Sequence, residues 1–192
     1  QQQSQQIQQV YKETLMPFGE YIPFRNIFQK FSWSSKLIHF EDYSKKENPR
    51  LAQVGQYKMG TGICLESIYP NYYRKQAKMG ADFLSVLVNN AWFFESNAAK
   101  QHLEMSQMRA AETNRYMVQA ANTGISAIIS NTGKVMIKSK LNEPKTLKGH
   151  IQMGYPQSMY TKTGNLIIWL ALLIILSGLY YSKENEKNTD PS

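Results

Sequence analysis

Residues 55–70 read GQYKMGTGICLESIYP, and both the fold and the chemistry of the chain turn on this stretch. It holds Cys64, the only cysteine among 192 residues. Residues 56–63 have the makings of a strand, and Gly60 and Gly62 sit just ahead of the sulfur. Small residues there let the backbone bend and leave a side chain open at a strand end. Glu66, two positions on, falls on the same side of an extended segment or just round a turn. This is a way to present an activated thiol nucleophile. The competing reading is a buried core thiol, since free cysteine is among the most buried residue types.

Working outward, residues 71–79 have helical character and stop at Gly80. Residues 82–88, DFLSVLV, form a continuous apolar run of the length and composition of a buried parallel strand. Asn89, Asn90 and Ala91 follow its carboxyl end, where sites form in open α/β sheets. Residues 98–120, rich in Ala, Met, Gln and Glu, predict a long helix capped by Ser96 and Asn97. Residues 125–129 and 135–138 flank SNTG and predict a hairpin. Alternating strands and helices closed by a hairpin give an α/β fold.

Upstream, VYKETLMPFGEYIP (10–23) carries Pro17, Gly19 and Pro23 and predicts an ordered loop. FRNIFQKF (24–31) spaces Phe24, Ile27, Phe28 and Phe31 as one apolar helix face, suited either to a membrane interface or to a core. Residues 41–53 are charged and predict a surface loop. The opening QQQSQQIQQ (1–9) is polar, has no signal-peptide pattern, and predicts a loop or the cut end of a longer chain.

The net charge of +8, from 22 basic and 14 acidic residues, suits an anionic membrane or nucleic acid. The basic residues are scattered, without the run of a nucleic-acid arm, so no nucleic-acid partner is expected. A single cysteine excludes an intramolecular disulfide and a cysteine zinc cluster. His39, His102 and His150 lack ligand spacing, so no metal and no cofactor are expected.

Residues 166–181, LIIWLALLIILSGLYY, carry no charge. With Gly164 and Asn165 the uncharged run spans about 27 Å, close to a bilayer core. Trp169, Tyr180 and Tyr181 stand near its ends, with Lys162 and Lys183 outside. A transmembrane helix at 164–181 is expected, followed by a polar, disordered tail at 182–192. Lys145, Lys148 and Lys162 on one side against Lys183 and Lys187 on the other do not fix its orientation.

The order of these blocks is specific. Lys12 and Glu20 lie in VYKETLMPFGEY, Cys64 in GICLES, then come NNAWFFES, a helix running from QH to RAAE, NTGISA, and the apolar segment. From about Val10 to the last helix this resembles the carboxyl-terminal part of the apolipoprotein N-acyltransferases, membrane-bound members of the nitrilase superfamily. The resemblance implies part of an αββα sandwich over residues 10–160, with the transmembrane helix after it. It implies a Glu–Lys–Cys site: Cys64 as nucleophile, Lys12 supporting the tetrahedral intermediate, and Glu20 and Glu66 as supporting carboxylates that keep Lys12 charged and in place. The amide of Leu65 would help hold the oxyanion, and Trp92 and Phe93 would line the acyl entrance, with Phe24 and Phe28 toward the lipid.

The implied reaction moves a fatty acyl group from a phospholipid to a diacylglyceryl apolipoprotein through a thioester. The implied place is the inner cell membrane, with the catalytic domain on its periplasmic side. The sequence departs from the family at Leu65, where Tyr is usual, and at Asn90, where the family has Asp. The family's general-base glutamate has no match here and is expected in a missing amino-terminal half of the enzyme, without which this chain would be inactive. A membrane-anchored amidase and a non-catalytic split subunit are the alternatives.

Overall fold

The computed structural model describes residues 8–28, 30, 42–45, 50–91 and 96–189. Among these, one six-stranded sheet runs in the order β1 to β6. Its strands are β1 (Ala52–Val54), β2 (Tyr57–Ile63), β3 (Phe83–Val88), β4 (Met117–Ala121), β5 (Ala127–Ile129) and β6 (Val135–Lys138). β2, β3 and β4 are parallel, in the register Gly60↔Leu84 and Leu84↔Met117, and the outer pairs are antiparallel.

The two parallel steps are made by α2 (Pro70–Lys78) and α3 (Ala98–Thr113), as parallel pairing requires. Both helices lie on one face of the sheet. Tyr72 and Tyr73 of α2 and Leu103 and Ala110 of α3 close over Leu84, Val86, Val88, Met117 and Ile129. Each fully buried aliphatic side chain there stabilises the fold by about 1.5–3 kcal/mol. On the opposite face Leu87 is 54% exposed, although its neighbours Val86 and Val88 are buried. One face of this sheet is therefore a core, and the other opens at the carboxyl end of β3, beyond the buried Phe83 and Ser85.

The strand at 56–63, the helix at 71–79, the strand at 82–88 and the hairpin are all present. Other expectations are corrected. The surface loop 41–53 gives way to β1 at Ala52. The helix expected over 98–120 ends at Thr113, because Asn114 takes the left-handed conformation, φ +55°, that terminates helices. The rest of that stretch becomes β4, the third parallel strand. Ser96 bonds the Ala98 amide, but Asn97 makes no side-chain cap. The amphipathic helix at 24–31 shrinks to α1 (Arg25–Phe28). Phe24 and Ile27 are exposed, and the Phe28 side chain and Phe31 lie outside the described residues.

Beyond β6 the chain crosses the second face of the hairpin, where a Cβ on Gly149 would meet Ile128 and Ile137. It then straps across α2 and α3. The Gln157 side chain donates to Ala77 O, Ser158 Oγ bonds Glu112 O, Asn114 donates to Pro156 O, and Arg74 donates to Tyr160 O. The strap ends in α4 (Met159–Thr163), which carries the fully buried Thr161, and leads into α5 (Leu166–Thr189). The tail beyond residue 181 thus continues the helix to Thr189 instead of lacking structure. Apolar side chains of α5 from Leu166 to Tyr181 are exposed along its length, Ile167 by 74%. Among the described residues no helix is long and apolar enough to cross a membrane.

Candidate active site

Cys64 stands directly after β2, at the first position of a short 3-10 turn, Cys64–Ile68. Its φ of +52° is left-handed, so the backbone itself makes the bend. The flanking glycines serve another purpose. A Cβ on Gly62 would lie 2.1 Å from Tyr73 Oη, and one on Gly60 would lie 2.3 Å from Gln76 Oε1. They let α2 press against the strand that delivers the cysteine, while Tyr72 Oη and Gln76 both donate to Thr61 O. Burial, with Glu66 nearby, pushes the Tyr72 phenol well above its ordinary pKa, so it remains a neutral donor.

Glu66 is fully buried. Its Oε2 accepts the Ile63 amide at 2.8 Å, and its Oε1 accepts the amides of Glu13 at 2.7 Å and Thr14 at 3.0 Å. One carboxylate therefore fastens the backbone before the cysteine to the backbone after Lys12. Lys12 Nζ is 2.6 Å from both oxygens of Glu20, and Glu20 Oε2 also accepts the Met16 amide. Glu20 pairs with the lysine directly. Glu66 acts on the loop's backbone, a role different from the direct support expected of it.

The turn is braced from behind by α3. Arg109, 3% exposed, donates from Nη1 to Ile68 O at 2.9 Å and to Ser67 O at 3.4 Å, and pairs through Nη2 with Glu112. Ser67 Oγ closes the turn onto Cys64 O. One turn and more away on the same buried face, Ser106 donates to Gln119 and His102 reaches Asn90 at 2.6 Å. His102, Ser106 and Arg109 escape a reading based on hydrophobic period because the buried side of α3 is largely polar. Their spacing of three and four residues was the available signal.

Cys64, Glu20, Met16, Phe18, Tyr43, Ile63, Leu87, Val88, Asn89, Ala120 and Ser126 are among the residues lining a cleft of about 910 Å³ on the open side of the sheet. Most of its wall is hydrocarbon, and the Cys64 sulfur lies 4.0 Å from the Asn89 carbonyl oxygen. Leu65 follows the cysteine in the same turn and is half-buried. Of the expected entrance residues, Phe24 is exposed and outside this lining, and no side chain is described for Phe28. Trp92 and Phe93 lie outside the described residues.

A lone cysteine thus stands at the carboxyl end of a parallel strand in an α/β fold, and Glu20, paired with Lys12, lines the same cleft. The chain belongs to the carbon-nitrogen hydrolase family, whose model matches residues 3–161. It is similar to apolipoprotein N-acyltransferases: 32% identical to that of Geobacter metallireducens, covering 81% of this chain and 29% of the relative. It is 36% identical to that of Aquifex aeolicus, covering 68% and 28%, and 35% identical to that of Rickettsia prowazekii, covering 86% and 33%. The chain thus spans about a third of the length of the curated relatives it matches. The solved structure of a carbon-nitrogen hydrolase from Helicobacter pylori G27 aligns with a TM-score of 0.48 and 14% identity, over 56% of this chain and 44% of the other.

Proposed function

We propose that this chain is the carboxyl-terminal portion of an apolipoprotein N-acyltransferase. In this reading it transfers a fatty acyl group from a phospholipid to the α-amino group of a diacylglyceryl-cysteine. The observation that carries it is the cleft of about 910 Å³, walled by apolar side chains, into which Cys64 and Glu20 both open. Such a volume suits a large apolar ligand. A small amide would leave most of that wall unused.

The Cys64 thiolate attacks the ester carbonyl of the phospholipid. The lysophospholipid alkoxide leaves with a proton, and the acyl group remains as a thioester on Cys64. The amine of the lipoprotein then attacks the thioester, the thiolate departs, and an amide forms. Lys12, kept beside Glu20, supports the oxyanion in both steps, with the Leu65 amide as a second donor. Removal of the thiol and amine protons falls to a glutamate supplied by the rest of the enzyme, so the chain acts only when joined to that half. Trp92 and Phe93 are assigned to the acyl entrance.

The same reading puts α5 in the inner cell membrane as an anchor starting near Gly164, with the sheet on the periplasmic side. Its support is the unbroken exposure of apolar side chains along α5, which water penalises and lipid does not. Mass spectrometry of the full-length enzyme in phospholipid vesicles is expected to show an acyl adduct on Cys64, and an adduct that persists in Cys64→Ala refutes the assignment. Membership of the carbon-nitrogen hydrolase family also fits an amidase with water as second nucleophile. Transfer of the acyl group to a lipopeptide amine without release of free fatty acid excludes that reading.

A further inference from the structure

We propose that Asn90 and His102 are positioning residues of the Cys64 site: a buried side-chain pair that fixes the Asn89 carbonyl as the acceptor for the thiol. The pair does not depend on which acyl acceptor the enzyme uses.

The β3–β4 ladder ends at Val88↔Ala121, so the next residues have no sheet to hold them. Yet the Asn89 carbonyl, directly beyond, is the group facing the Cys64 sulfur at 4.0 Å. The bonds that order this corner are mostly exchanged between two loops. Asn122 N donates to Val88 O at 2.9 Å, Asn90 N donates to Thr123 O at 3.3 Å, and Ala91 N and Thr123 Oγ1 donate to Asn89 Oδ1. The first of these ties the residue after β4 to the last residue of β3, and the others run between the two loops. Among the described residues, the side-chain link from this corner to α3 is the one between His102 Nδ1 and Asn90 Oδ1, 2.6 Å apart and both buried.

His102 belongs to α3, the helix that also holds the nucleophile turn through Arg109. The sulfur and the carbonyl it faces are thereby referred to one helix. The local sequence is shaped around the pair. Gly124 has a φ of +123°, and a Cβ there would come within 2.7 Å of Asn90 Nδ2. An amide oxygen only accepts, so His102 Nδ1 carries the proton. Burial lowers the His102 pKa and keeps the ring neutral.

A thiol donating to the Asn89 carbonyl aims its proton at that one wall of the cleft and leaves its lone pairs free for the rest. That bond favours the protonated form. It is lost when the thiolate forms, because the carbonyl dipole then repels the sulfur.

The test is the pH profile of Cys64 alkylation by iodoacetamide in the full chain in detergent, with far-UV circular dichroism and thermal melting as checks of fold. Asn90→Ala and His102→Ala are each expected to lower the alkylation midpoint by a few tenths of a pH unit. The rate at pH 7 should rise about two- to threefold, the effect of losing a weak bond to the neutral thiol. The double variant should shift no further than either single one. His102→Gln, which keeps an N–H donor, should restore the profile. Ser106→Ala removes another buried anchor of α3 and should leave the midpoint in place. A folded Asn90→Ala with an unchanged midpoint overturns the proposal, as does a double variant whose shift is the sum of the two. If His102→Ala does not fold, Asn90→Ala and His102→Gln alone decide the matter on the same criteria.

Discussion

The turn that carries Cys64 and the loop that carries Lys12 and Glu20 open onto one cleft and are built by opposite means. Both contain a non-glycine residue in the left-handed region, Cys64 at φ +52° and Phe18 at φ +61°. The cysteine turn is held from a distance: Tyr73 behind Gly62, Arg109 of α3 on the carbonyls of Ser67 and Ile68, and the buried Glu66 at its root. The lysine loop is held mostly by its own neighbours. Glu20 N bonds Met16 O, Phe18 N bonds Tyr21 O, and the Glu20 side chain closes back on Lys12 and Met16. The cysteine turn is thus fixed by distant elements, whereas the lysine loop is fixed chiefly by itself. Glu66 is where the two designs join.

The comparison breaks most completely at the sulfur. Cys64→Ala is expected to abolish acyl-enzyme formation, read by mass spectrometry, while leaving the denaturant midpoint within the ordinary range of a small surface change. A large loss of stability would mean that the thiol is a packing residue after all. Glu66→Gln should show the next largest effect. One amide oxygen cannot replace a carboxylate accepting three backbone N–H groups, so about 2–4 kcal/mol of unfolding free energy should disappear, read as a lower denaturant midpoint. A matching protein stability in this variant would dissolve the distinction between the two regions.

Glu20→Gln should sharpen it. The Lys12–Glu20 pair is partly exposed, so its loss should move stability by less than about 1 kcal/mol. Thioester formation should nevertheless slow by one to two orders of magnitude, about the scale of a displaced oxyanion donor. The smallest effect concerns pH. Burial holds His102 below its ordinary value of 6.5, so the unfolded chain binds its proton first. The contribution is complete above pH 6.5 and is lost as the pH falls through the window below it. Glu112, raised by burial against the opposing pull of Arg109, acts with the opposite sign and is common to both proteins compared. Wild-type protein should therefore lose more stability than His102→Gln between pH 7 and 5, measured as melting temperature against pH.

Much of the parallel sheet was legible because its signals are local. DFLSVLV has the composition of a doubly buried strand, and Gly80 marks the end of α2. β4 was not legible: its residues continue a run of good helix formers, and a single left-handed Asn114 diverts them into the sheet. At the site, the pairing of Lys12 with Glu20 across eight residues followed from resemblance, and the structure places the two side chains in contact. The work of Glu66 on two distant backbones was hidden, as were the links from α3 to Asn90, Gln119 and the cysteine turn. These are buried polar bonds between segments far apart in sequence, and neither periodicity nor propensity encodes them.

The left-handed backbone at Cys64 also bears on how this sequence could drift. A side chain there is held in a conformation that costs about 1–2 kcal/mol relative to the right-handed one, whereas glycine accepts it freely. Glycine's greater loss of chain entropy offsets part of the difference. Cys64→Gly is therefore expected to melt at or above the temperature of the native protein while forming no thioester. In the proposed function this single substitution separates the two demands on the position, since it removes the sulfur and relieves the backbone at once.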